Sequence, residues 1–302
     1  MSFKTVSAIL RGRWMLEKHW ANDHLPLVVM LLKGQSNVSF VERSGSENNP
    51  KPFCIDPTTM NKYNMNVYTP MGNIVPNPNI PPNSVGILPV CGPITKYDGS
   101  CGEPGAISLT SSLMDLLKRD NIGSIIQLID TPGGESRAAN SYCSVAGNSK
   151  KPILSFVDGM CASLGMYFAS ASSEVYMSND LDQMGSIGSY CTLLDFSGYL
   201  EEAGIKMHEI YAPQSIDKNK SYRDALTGDY SAIEADLKKC VDSFIEYVAK
   251  SRGSKPLEYK NEWNTGKMFY AKDAIKNGLA DGVKPFDQVV SKAAWLAKRN
   301  KN

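Results

Sequence analysis

The stretch "IGSIIQLIDTPGGES", residues 122 to 136, determines the fold class and marks the first candidate site. Its first part is a run of β-branched and other apolar residues, which is typical of a buried strand. Pro132 and the pair Gly133 and Gly134 then end the strand and lead into a segment with a helical pattern. We therefore predict a strand over 122–130 that a glycine turn connects to a helix.

Similar units precede and follow this stretch. The runs "VGILPVCGPI" (85–94) and "PILSFVDG" (152–159) predict two further buried strands. Apolar residues at helical spacing predict helices over 107–120, 163–172 and 229–253. Strands that alternate with helices favour an α/β fold with layered, mostly parallel sheets and flanking helices.

The two ends of the chain differ from this central part. Residues 1–45 carry a helical pattern around Trp14, Leu16 and Trp20, and residues 46–84 are rich in Asn, Pro and Ser. We interpret 1–84 as an N-terminal helical segment plus a linker. The main domain is predicted over 85–285, with a C-terminal helical tail over 286–302.

Composition excludes several classes of protein. Lys plus Arg number 32 and Asp plus Glu 31, so no strong net charge favours nucleic acid or an anionic membrane. Seven scattered cysteines without a CxxC pair favour a reducing compartment and predict no zinc site. The apolar run 25–32 is far shorter than the about 20 residues of a membrane span. We predict a cytoplasmic protein without a membrane span.

A second candidate site lies in "GMCASLGMYFASA", residues 159 to 171. Ser163 falls where a strand leads into a helix, so its hydroxyl could attack a carbonyl if a base takes its proton. The backbone N–H groups of Gly133 and Gly134 could stabilise the negative charge that develops. The alternatives are a helix-capping or packing serine and an ordinary glycine turn.

The base is the open question. The chain has three histidines, His19 and His24 in the N-terminal segment and His208 further on, and their order and scarcity make a Ser-His-Asp triad a poorer alternative that stays open. Lys218 and Lys220 lie in a polar stretch, and a lysine serves as a base when burial or neighbouring positive charge lowers its pKa. By default both are solvated surface lysines.

Four blocks in order across 85–285 resemble peptidase family S49, the signal peptide peptidase A type, whose fold is related to ClpP and the crotonases. The blocks are "DTPGG" (130–134), "CASLGMYFASAS" (161–172), "MGSIGSY" (184–190) and "WNTGKMFYAKDAIKNGLADGV" (263–283). The resemblance implies a ClpP/crotonase-like fold. It also implies a serine endopeptidase with a Ser-Lys dyad whose nucleophile is Ser163.

The resemblance assigns roles to further residues. Lys218 with Asn219 resembles the family's K-D pair better than Lys220 does, so Lys218 is the implied base and Lys220 the alternative. The implied oxyanion and substrate-backbone residues are Gly133, Gly134 and Leu164, and the residues that shape the site are Gly185, Ser186, Ile187 and Gly188. Leu164 replaces a glycine of the family pattern. No metal or organic cofactor is implied, and related enzymes form rings or domes in which neighbouring subunits can supply the serine and the lysine.

The N-terminal block "ILRGRWMLEKHWANDHLPLVVMLLKG" (9–34) resembles phage-encoded and prophage-encoded S49 proteins, the head-maturation proteases. That resemblance implies cleavage of scaffold or capsid proteins, in the host cytoplasm or inside an immature capsid. The alternatives are a cytoplasmic bacterial peptidase of the same family that degrades peptides and a non-catalytic homologue that binds capsid or scaffold. A crotonase-like acyl-CoA enzyme fits the serine and terminal blocks less well.

Overall fold

The structure, a computed structural model, describes residues 14–16, 50–99, 103–193, 195–253 and 263–300. Its strands are β1 (Trp14–Leu16), β2 (Phe53–Ile55), β3 (Lys62–Asn64), β4 (Asn66–Tyr68), β5 (Ile74–Pro76), β6 (Ser84–Cys91), β7 (Ile122–Thr131), β8 (Gly133–Glu135), β9 (Ile153–Ala162), β10 (Glu174–Met177), β11 (Gln183–Gly185), β12 (Met268–Tyr270) and β13 (Gly282–Val283). Its helices are α1 (Ala106–Lys118), α2 (Ala139–Gly147), α3 (Leu164–Ser170), α4 (Ser197–Glu202), α5 (Lys220–Leu226), α6 (Ser231–Ser251), α7 (Ala271–Lys276) and α8 (Phe286–Arg299).

A nine-stranded sheet organises the chain. The order along its main path is β12-β11-β9-β7-β6-β2-β3, and β10 joins β9 to β13. One edge of β9 pairs with β7, while its other edge pairs first with β10 and then with β11. The pairs among β6, β7, β9, β10, β11 and β13 are parallel, which confirms the predicted mostly parallel sheet. The carboxyl ends of β7, β9 and β11 therefore meet at one edge, where α/β proteins place their sites.

Helices cover both faces of this sheet. Side chains of successive residues in β7 point to opposite faces: Ile125 belongs to the apolar cluster that includes residues of α1, α2, α3 and α6, whereas Ile126 belongs to the cluster that includes Val289 and Ala293 of α8. A strand covered on both faces needs apolar residues in succession, which is the pattern that the sequence shows. The layered α/β architecture predicted from the sequence is confirmed.

The predicted strands and helices of the central part are present, with small shifts at their ends. The prediction for the N-terminal segment is wrong at Trp14–Leu16, which form strand β1 rather than part of a helix. The rest of the predicted N-terminal helix lies outside the described residues.

The predicted linker and tail also contain more structure than their composition suggests. Strand β2 pairs with β6, and β3 with β2, so residues 53–64 belong to the central sheet. Cys54 and Ile55 are buried there, but the polar residues around them dilute the apolar signal. Helix α8, predicted as a tail, packs on the sheet through Val289 and Val290.

Candidate active site

A bulge in β9 sets the direction of the residues that lead to Ser163. Ile129 of β7 is opposite Val157, but Thr131, two residues later, is opposite Cys161, four residues later. The extra residues in β9 include Gly159, whose φ is +112°. A bulge bends a strand and redirects the residues that follow it. Here the residues that follow are Ala162 and Ser163.

Two carboxylates hold the bulge in place. Asp182 accepts the N–H of Gly159 at 3.0 Å, and Asp130 accepts the N–H of Met160 at 3.1 Å. Asp182 is buried, and its second oxygen also accepts the N–H of Ser178 at 2.7 Å. Burial is the main cause that raises the pKa of Asp130. Sequence reasoning missed both carboxylates, because the N–H groups that they bind come from distant parts of the chain.

Ser163 lies in a strained backbone conformation between β9 and α3. Its φ is 51° and its ψ −113°, a region that residues with a Cβ rarely adopt and that costs about 1–3 kcal/mol. Two hydrogen bonds hold it: the Ser163 N–H donates to the Gly185 carbonyl at 2.8 Å, and the Ser163 carbonyl accepts from the Met166 N–H at 2.8 Å. Surrounding structure therefore fixes an unfavourable backbone, a feature concentrated at functional sites.

The hydroxyl of Ser163 is buried without a hydrogen bond. The residue is 1% exposed, and its Oγ has no partner among the described residues. A buried polar group left unpaired costs about 1–3 kcal/mol, so a packing role alone would favour alanine here. The neighbouring thiol of Cys161 is a poorer nucleophile because burial raises its pKa and keeps it protonated.

The Gly133–Gly134 turn directs one N–H group away from Ile94, toward the edge of β8 that pairs with β1. The Gly133 N–H donates to Thr131 Oγ1 at 3.1 Å. Ile94 takes one edge of β8: its N–H donates to the Gly133 carbonyl and its carbonyl accepts from the Glu135 N–H, each at 2.8 Å. Because backbone groups alternate along a strand, the N–H and C=O of Gly134 point to the opposite edge. Of the two predicted glycines, Gly134 therefore has the N–H that faces outward.

Close packing requires glycine at position 134. A Cβ on Gly134 would overlap the carbonyl group of Ile94. Gly133 has a φ of +98°, which also favours glycine. Both glycines therefore follow from local structure, and the same structure directs the Gly134 N–H outward.

Thr131 connects the glycine turn to the serine turn. Its Oγ1 accepts from the Gly133 N–H and donates to the Gly92 carbonyl at 2.6 Å. Its methyl group lies 2.6 Å from the position that a Cβ on Gly165 would take. Helix α3 also lies against β8. Sequence reasoning gave no role to Thr131, which fixes the spacing between the two candidate elements.

We expect Gly165→Ala to destabilise the protein and Thr131→Ser to restore much of the loss. The added Cβ meets the Thr131 methyl, whereas serine removes that methyl and keeps the oxygen that holds Gly133. Overpacking of this kind costs about 1–3 kcal/mol. Calorimetry of both single variants and the double variant gives the coupling energy. Gly147→Ala is the matched control, because no atom lies within 4 Å of its added Cβ. Additive effects of the two changes would contradict the contact.

The block "MGSIGSY" supports the serine turn directly. Gly185, with a φ of +133°, supplies the carbonyl that binds the Ser163 N–H. A Cβ there would overlap the carbonyl of Lys267. Ser186 also has a positive φ, 52°, and its N–H donates to the same Lys267 carbonyl at 2.8 Å.

The rest of this block packs on the terminal block. Ile187 is buried, and its carbonyl accepts from the Gly266 N–H at 3.1 Å. A Cβ on Gly188 would come within 3.5 Å of Gly266 Cα. Strand β11 pairs with β12 beside them. The third and fourth sequence blocks thus form one support under Ser163.

Leu164 begins α3, and its side chain is fully buried in the core. The N–H groups of the first helical turn have no acceptor within the helix, so the Leu164 N–H is available to a ligand. Tyr167 of α3 stacks on Tyr247 of α6 at 4.0 Å between ring centroids. Gln127 binds the other end of α3, donating to the Phe168 carbonyl at 3.3 Å.

The structure does not join either candidate lysine to Ser163 by a hydrogen bond. Lys218 is exposed just before α5, and its carbonyl accepts from the Arg223 guanidinium. Lys220 donates to Asp224 at 2.5 Å, and this bond and the Asp224 charge raise the pKa of Lys220. His208 is exposed as well.

The predicted site residues thus separate into two groups. One edge of the sheet brings together Gly133, Gly134, Ser163, Leu164 and 185–188. No hydrogen bond of the described residues connects Lys218 or Lys220 with this first group. Within the described ranges, no group of three or more His, Cys, Asp or Glu side chains could hold a metal ion.

The mostly parallel sheet with helices on both faces is consistent with the ClpP-like fold. Residues 146–300 match the model of peptidase family S49, and the chain belongs to this family. The resemblance predicted from the four blocks is confirmed. No helix among the described residues is long and apolar enough to cross a membrane.

Several curated proteins are similar to this chain. A putative protease of Methanocaldococcus jannaschii is 27% identical over 61% of this chain and 60% of its own length. Protease 4 of Haemophilus influenzae is 20% identical over 73% of this chain and 36% of its own length. Head-tail preconnector protein GP5 of Enterobacteria phage P21 is 24% identical over 72% of this chain and 44% of its own length. Each match covers less than two thirds of the relative.

Proposed function

We propose that this S49 peptidase is a serine endopeptidase with Ser163 as its nucleophile and a lysine as its base. The observation that carries the proposal is the Ser163 hydroxyl, which is buried, unpartnered among the described residues and held on a strained turn. Neither the strain nor the unpaired hydroxyl benefits stability, so a chemical role accounts for both.

The reaction follows from the groups around this turn. A neutral lysine takes the proton from Ser163 Oγ as the oxygen attacks a peptide carbonyl. The N–H groups of Gly134 and Leu164 stabilise the oxyanion, each contributing about 3 kcal/mol. The protonated lysine then gives its proton to the leaving amine. Water hydrolyses the acyl-enzyme by the same base and restores the serine.

Electrostatics favours Lys218 over Lys220 as that base. A general base must be neutral when it acts, so a lower lysine pKa is required. Asp224 raises the pKa of Lys220, which opposes this role. Lys218 forms no ion pair with a carboxylate of the described residues, so it remains the preferred base.

The exposed position of Lys218 fits a base that is supplied across a subunit boundary. The segment from 193 to 230 exposes many large apolar side chains: Leu193, Phe196, Tyr199, Ile205, Met207, Ile210, Ile216, Tyr222, Leu226 and Tyr230. Exposed apolar surface of this extent is typical of interaction sites. We propose that a second copy of the chain covers this segment and that assembly brings Lys218 to a neighbouring Ser163.

Labelling by a fluorophosphonate tests the dyad. We expect a single adduct on the parent protein by intact mass, none on Ser163→Ala, and at least about a hundredfold slower labelling of Lys218→Ala. Lys220→Ala is the matched control and should label like the parent. Loss of labelling in Lys220→Ala instead would assign the base to Lys220. No adduct on the assembled parent would favour the non-catalytic capsid- or scaffold-binding alternative.

For the substrate, we propose scaffold or capsid protein cleaved during phage head maturation. The similarity to the head-tail preconnector protein of phage P21 supports this role. The site would then act in the host cytoplasm or inside the procapsid. The second candidate is a cytoplasmic bacterial peptidase that degrades peptides, favoured by the similarity to Protease 4. Incubation with phage capsid and scaffold proteins, compared with unfolded casein, separates the two.

A further inference from the structure

The N-terminal strand lies on the outward edge of the glycine turn. Strand β1 pairs antiparallel with β8, so that Trp14 is opposite Glu135, Met15 opposite Gly134 and Leu16 opposite Gly133. Ile94 occupies the other edge of β8 through the bonds described above. The edge that β1 covers is therefore the one that carries the outward N–H of Gly134.

The register identifies the groups that meet. The N–H and C=O of Gly134 face β1, and Met15 is their partner in the antiparallel pair. In such a pair, two opposite residues whose backbone groups face each other exchange both hydrogen bonds. The Gly134 N–H, which the proposed mechanism directs at the oxyanion, thus meets the carbonyl of Met15.

We propose that β1 occupies the edge of β8 where a peptide substrate would bind. It then competes with the substrate for the backbone groups of Gly134. This inference rests on the proposed function, since it takes the β8 edge as the place of the scissile segment. An extended peptide that adds a strand to an open edge is a general mode of recognition, and the edge accepts it through backbone groups. An occupant on the same chain has a high effective concentration, so free substrate binds more weakly than it would to an open edge.

Met15→Pro tests the pairing without reference to catalysis. Proline removes the Met15 N–H that faces Gly134 and disfavours the pairing. Leu16→Pro is the matched control, because the Leu16 N–H points away from β8 and a following proline keeps Met15 extended. Met15→Ala controls for the side chain. All variants carry Ser163→Ala, so that no cleavage occurs.

Hydrogen exchange of the Gly134 amide gives the first result. We expect slow exchange in the parent, Leu16→Pro and Met15→Ala, and exchange at least about tenfold faster in Met15→Pro. A synthetic peptide that copies residues 11–19 should restore slow exchange when added to Met15→Pro. Equal exchange in Met15→Pro and Leu16→Pro would overturn the proposal.

Peptide hydrolysis gives the second result, in proteins that retain Ser163. We expect Met15→Pro to lower the KM for a fluorogenic peptide at least about tenfold at similar kcat, as when an occupant fills its site nine-tenths of the time. The added copy of residues 11–19 should raise this KM again. An unchanged KM with Ser163 still labelled by fluorophosphonate would overturn the inference alone. Absence of labelling in both proteins would overturn the proposed function itself.

Discussion

Ser163→Ala is expected to abolish peptide hydrolysis while the protein folds as well as, or better than, the parent. Removal of a nucleophile lowers kcat by about 10⁴- to 10⁶-fold, because the remaining groups bind substrate without forming the acyl-enzyme. The same change removes a buried hydroxyl that has no hydrogen bond among the described residues. The free energy of unfolding should therefore stay the same or rise by about 1 kcal/mol. Steady-state kinetics and calorimetry measure the two effects.

Ser170→Ala is the matched control for this prediction. Ser170 lies at the end of the same helix, is 2% exposed and also has an unpartnered Oγ among the described residues. We expect a similar effect on stability and parental activity, because Ser170 is not on the strained turn. If Ser163→Ala retained activity, or if both variants lost it equally, Ser163 would be a packing residue.

The sequence was sufficient for the central layers of the fold. Strands β7 and β9 are covered on both faces, so each needs an uninterrupted run of apolar residues. Such a run can be recognised in the sequence alone. The serine and glycine turns follow at the ends of these strands, because parallel strands place their carboxyl ends together. For this reason Gly133, Gly134 and Ser163 could be predicted as neighbours.

Other parts of the site depend on contacts between distant residues. Strand β1 has three residues and no recognisable strand pattern, and its pairing with β8 depends on an edge that Ile94 leaves open. From the sequence, Asp182 would be interpreted as a surface carboxylate. Only the fold shows that it accepts the N–H groups of Gly159 and Ser178. In the proposed assembly, the position of Lys218 relative to Ser163 would depend on contacts with a second copy, which the sequence of one chain does not reveal.

Gly134→Ala is expected to lower kcat by about 10²- to 10³-fold, the effect of losing one oxyanion donor. The added Cβ would overlap the Ile94 carbonyl, so β8 must move away from Ile94. That movement displaces the Gly134 N–H from the place where the oxyanion forms. Kinetics well below the unfolding temperature measure the effect, since overpacking also costs about 1–3 kcal/mol of stability.

Two control variants distinguish displacement of the Gly134 N–H from a general loss of stability in Gly134→Ala. Gly147→Ala adds the same methyl group in α2, where it meets no atom within 4 Å, and should keep both activity and stability. Gly86→Ala places its methyl group 2.9 Å from the buried Leu116 side chain, in the first half of β6, and should lose stability without displacing the glycine and serine turns. If the Gly134 N–H stabilises the oxyanion, Gly134→Ala loses much more kcat than Gly86→Ala when both are assayed well below their unfolding temperatures. Equal losses would mean that Gly134 serves packing alone and that another donor binds the oxyanion.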